Sequence, residues 1–115
     1  MPLSVKALHR QAMERADELE LLTRRHGSPL RIRRVATIAF WLERCAAQQV
    51  PLHPNNEPSR AILYRSAAWL AVRAERYADA IQCAEAGLAG VIHGDLRGEL
   101  EEVLEEARRL QGEGV

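Results

Sequence analysis

Apolar residues recur along this chain at spacings of three and four, interrupted by clusters of glycine, proline and asparagine, a pattern that predicts consecutive helices. Leu8, Ala12, Ala16, Leu19 and Leu22 make one apolar face of a first helix over 4–25. Gly27 then supplies a stop. Ser28 and Pro29 supply an N-cap and a proline at the first helical position, where a missing N–H costs nothing. The second helix, over 29–49, carries Val35, Ile38, Ala39, Leu42 and Ala46, and Phe40 and Trp41 widen its apolar arc beyond one stripe. That surplus predicts self-association, a homodimer through Phe40 and Trp41. Three prolines and two asparagines in 50–58 cannot continue a helix and predict a loop.

Beyond the loop, Tyr64, Ala67, Ala68 and Ala71 precede Tyr77, Ala80 and Leu88 at the spacing of one helical hairpin. Small residues let two helices approach closely while the tyrosines fill the ends, so helices are predicted over 58–74 and 77–89. Gly90 and the His93-Gly94-Asp95 turn break the chain again, with Asp95 expected as the N-cap of a last helix over 95–110. Its Leu96, Leu100, Val103, Ala107 and Leu110 face inward, and Glu99, Glu101, Glu102, Glu105 and Glu106 make an acidic outer face.

The segment 61–94 resembles one unit of the tetratricopeptide repeat, a 34-residue helix-turn-helix. Tyr64 stands where that family has a large aromatic, Ala68 where it has a small residue, Tyr77 at the opening of the second helix and Ala80 at the close-contact position. Glu75 replaces the usual turn glycine, Gly87 the usual alanine, and Ile92 the proline that often ends the repeat. A second unit, 13–46, appears with Gly27 on the turn position and Ile32 at the close contact. The resemblance implies a single all-α domain: a five-helix right-handed superhelix of two helical hairpins plus a C-terminal capping helix. It also implies a small, non-catalytic module that binds protein or peptide.

Length and composition agree with one helical domain: 115 residues, rich in Ala, Leu, Glu and Arg and poor in aromatics. Sixteen Lys and Arg balance sixteen Asp and Glu, so no net field draws the chain to nucleic acid or anionic membrane. No run approaches the roughly 18 apolar residues of a membrane span, and a cytoplasmic location is expected. Cys45 and Cys83 lack metal-ligand or Cys-x-x-Cys spacing and are expected to be slow-reacting structural thiols.

Candidate chemistry is sparse. In the repeat family the face of the third helix bearing Ile62, Arg65, Trp69, Val72 and Arg73 lines a concave groove, and a Trp flanked by arginines suits an acidic or C-terminal carboxylate ligand. Arg24, Arg25, Arg31, Arg33 and Arg34 crowd the first interhelical turn, a basic patch that could contact phosphates but lacks interleaved aromatics. The expectation there is a solvated helix end whose cations complement the dipole of the first helix, with the acidic last helix of a second copy as a partner for the patch within a dimer. His9, His26, His53 and His93 fall in four separate contexts, and no cofactor, metal or catalytic motif is present. A helical enzyme or toxin-type nuclease, or a nucleic-acid-associated regulator using the 24–34 patch, are the competing readings. HEPN-type ribonucleases usually carry an Arg four to six residues before a His, and no His here has one.

Overall fold

Ser4 accepts a hydrogen bond from the Ala7 N–H at 3.1 Å, and Ser28 accepts one from the Arg31 N–H at 3.4 Å, each satisfying an orphan donor where a helix begins. In the computed structural model, which describes residues 3–113, these caps open α1 (Val5–Arg24) and α2 (Pro29–Gln48). There follow α3 (Ser59–Arg73), α4 (Tyr77–Leu88) and α5 (Gly94–Glu113), with one short 3-10 turn at Pro54–Asn56. No strand occurs among the described residues, and the fold is all-α. Gly94 (φ 64) starts α5 and Asp95 lies within its first turn, so Asp95 is not the expected cap.

Each helix packs on the next, and α3 also touches α5. Ala12, Ala36, Ala68, Ala80 and Ala107, one from each helix, are completely buried. Where alanines meet, helix axes can lie close, and the larger core side chains Leu19, Phe40, Leu100 and Val103 fill the space between seams. At Gly87 the approach is closer still: a Cβ there would lie 2.7 Å from Leu100 Cδ2 and 3.2 Å from Tyr64 Cβ. Glycine at that position lets α4 fit between α3 and α5.

The α1–α2 and α3–α4 turns share one hydrogen-bond pattern. Gly27 N–H donates to the Leu22 carbonyl and Arg76 N–H to the Ala71 carbonyl, each at 2.8 Å, closing the wide ring of a Schellman turn. The left-handed residue that such a turn requires is His26 (φ 53) in the first and Glu75 (φ 60) in the second. Glu75 thus holds the conformation for which the repeat family uses glycine. In the first turn that position falls on His26, one residue before Gly27.

Candidate binding cleft and basic surface

Glu57 and Arg60 form a bracket at one end of the α3–α4 pair. Arg60 is 3% exposed; its Nε–H donates to Glu57 Oε2 at 2.8 Å, and Nη2 donates to the Ala86 and Gly87 carbonyls at 2.9 and 3.1 Å. Those carbonyls belong to the last turn of α4, where intrahelical donors run out. Glu57 Oε1 accepts from the Ala61 N–H at 3.2 Å, so one carboxylate caps α3 while its partner caps α4. A Cβ on Gly90 would fall on the Glu57 carboxylate, so any other residue there would have to displace the Glu57–Arg60 pair.

Beside the bracket opens a cleft of about 550 Å³, walled by Ile62, Val91 and Leu96, with Arg65 and His93 at its polar margin and Pro54 and Pro58 closing the loop side. Val91 is 67% exposed and Ile62 37% exposed, and neighbouring Leu52 is 60% exposed. Arg65 Nη1 donates to Glu99 of α5, which leaves the remaining guanidinium donors open.

The expected stripe on α3 therefore divides. Ile62 and Arg65 reach the cleft. Trp69 and Val72 are partly buried against the central core, and Arg73 turns the other way, its Nη2 donating to Thr23 Oγ1 of α1 at 3.0 Å. The two guanidinium groups do not converge on one opening, because α5 and α1 each offer an acceptor.

Phe40 and Trp41 also part company. Phe40 is completely buried in the core, with the guanidinium groups of Arg44 and Arg76 4.7 and 5.8 Å from its ring centroid, so it takes no part in a self-association face. Trp41 is 49% exposed, with Arg76 lying 5.7 Å over its ring. All five arginines of the 24–34 patch are exposed. Arg33 pairs with Glu75 at 2.6 Å, and within the chain the α5 carboxylates Glu101, Glu106 and Glu113 are paired with Arg97 and Arg109 of the same helix. An aromatic ring does stand among the patch arginines in space: Trp41 shares a hollow with Arg33, Arg34 and Arg76. Arg76, from the distant α3–α4 turn, gives no sign of this in the sequence.

The histidines remain dispersed. His9 Nδ1–H donates to both oxygens of the fully buried Glu43, at 2.8 and 3.0 Å, which bolts α1 to α2. The two residues are far apart in sequence, and only the packing of two helix faces reveals the pair. No nucleophilic hydroxyl or thiol bonds to His9, and no group of three metal-ligating side chains occurs among the described residues.

Cys83 is buried as expected, and burial pushes its thiol up from 9.0 to about 11. Cys45 is exposed, contrary to the expectation that both thiols are shielded. One equivalent of a thiol reagent should therefore react quickly with the native protein, at Cys45, and the second only on unfolding. Between pH 9 and about 11 the unfolded chain loses its Cys83 proton while the folded chain keeps it, so stability should fall with rising pH, on the order of 1.4 kcal/mol per unit. Tyr64, also raised by burial, acts in the same direction. Urea midpoints across that range, compared with Cys83→Ala, check the effect; two fast-reacting thiols or a flat profile would contradict it.

No helix among the described residues is long and apolar enough to cross a membrane. Comparison with protein-family models, with curated proteins and with solved structures finds no match for the chain.

Proposed function

We propose that the protein is a tetratricopeptide-like interaction module that binds a segment of another protein without catalysing a reaction on it. The observation that carries this reading is the open apolar cleft at the α3–α4 end, where Val91 and Ile62 face solvent around about 550 Å³ of space. A half-open apolar hollow with a few polar groups at its rim suits an aliphatic side chain next to a carboxylate, the first held by Ile62, Val91 and Leu96 and the second by the free donors of Arg65 and by His93. Support for the repeat reading comes from the successive α1–α2 and α3–α4 hairpins, whose turns share one bonding pattern, followed by the polar-faced α5.

The test is selection from a random peptide display library, followed by measured affinities. Selected peptides should carry an aliphatic residue beside an acidic group or free C-terminus, and Val91→Asp or Ile62→Asp should weaken them at least about tenfold while leaving the melting temperature near that of the parent. Peptides that bind the Val91→Asp protein undiminished would refute the cleft as the site.

A further inference from the structure

The outer face of α2 is cationic and only partly compensated, by Glu75 at Arg33 and by Asp79 at Arg44. Its exposed side chains include Arg31, Arg33 and Arg34, and the one carboxylate of the helix, Glu43, is buried and engaged by His9. Two turns along, Trp41 presents a half-exposed indole, and the α3–α4 turn lays Arg76 over it. Arg33, Arg34, Thr37, Trp41, Ala74 and Arg76 enclose a hollow of about 360 Å³. Glu75 occupies Arg33 Nη1, and Asp79 occupies Arg76 Nε. Arg24, Arg25, Arg31 and Arg34 make no ion pair among the described residues.

A second copy of this chain is a poor occupant. An α2-to-α2 contact would bring arginines against arginines, with no exposed carboxylate on either helix to offset them. The occupant must be anionic. The large apolar surface inside the hollow is a flat indole bordered by guanidinium groups, which fits a planar π-faced group carrying phosphates better than the branched aliphatic side chains of an acidic helix. Exposed arginines without an ion pair also stand at the start of α2 (Arg31) and at the α1–α2 turn (Arg24 and Arg25), so the surface offers cations for more than one phosphate. We infer that this surface binds single-stranded nucleic acid, with one base stacked on Trp41 and the flanking phosphates held by Arg34, Arg76 and the arginines of the turn.

The experiment uses the full chain carrying Trp69→Phe, so that indole emission reports Trp41 alone, and a labelled oligothymidylate of about 12 nucleotides. Binding should quench the indole and weaken with salt. Trp41→Leu should reduce affinity about tenfold or more. Arg34→Ala should reduce it and flatten the log–log salt slope by about 0.7. Arg97→Ala, on the far helix α5, should change nothing, and circular-dichroism melts confirm that each variant is folded. Absence of binding at about 50 mM salt would overturn the inference. So would polyglutamate that displaces the oligomer at equal charge with no dependence on Trp41, which would indicate an acidic protein, or thymidine monophosphate that binds as tightly as the oligomer, which would indicate a free-nucleotide site.

Discussion

Arg60→Ala should lower the free energy of unfolding by about 3–5 kcal/mol, the range for removing one partner of a buried ion pair. The guanidinium is not a surface charge that can be trimmed at little cost. It joins Glu57, whose side chain is 8% exposed, to the last carbonyls of α4, and it lies 5.2 Å over the Tyr64 ring. Truncation strands the Glu57 carboxylate away from water and leaves two carbonyls without their donor. Arg60→Met combined with Glu57→Gln should recover part of the loss, because no buried charge is then orphaned. Urea unfolding of the single and double variants gives both numbers. A loss below about 1 kcal/mol for Arg60→Ala would mean that water replaces the guanidinium without penalty, and the bracket would not be what joins the two helix ends.

Helix positions were legible because their signals are local. The Ser28-Pro29 start, the proline-rich loop and the alanine ladder each act through the backbone within a few residues, and the observed boundaries follow them closely. Left-handed turn residues were less legible: His26 and Glu75 adopt positive φ without being glycine, since the Schellman hydrogen bonds and the packing of the two helices fix the turn. The cleft was half legible. Ile62 and Arg65 share a helix face with Trp69 and Arg73, but periodicity knows nothing of the neighbours, and it is Glu99 on one side and Thr23 on the other that send the two arginines apart. Val91 and His93, from a connection that reads in sequence only as a turn, complete the cleft together with Leu96 from the first turn of α5. The Glu57–Arg60 pair reads as an ordinary surface contact until the carbonyls of Ala86 and Gly87 are seen to meet it.

Phe40→Ala and Trp41→Ala, adjacent in sequence, should differ widely in cost. Successive helical residues point about 100° apart, so two aromatics that look equivalent in a list occupy different surroundings. Phe40 is the largest completely buried side chain and packs within the core cluster that also contains Leu19 and Val103. Its removal should cost about 3–5 kcal/mol, the transfer term plus a cavity that alanine-lined seams cannot collapse to fill. Trp41 is half-exposed, and losing it forfeits chiefly the contact with Arg76, about 0.5–1 kcal/mol. Calorimetric melts at several concentrations should show a large drop in melting temperature for Phe40→Ala and a small one for Trp41→Ala. The reverse order would mean that Trp41 is buried in an assembly in solution, and the indole would then be closed to any other ligand.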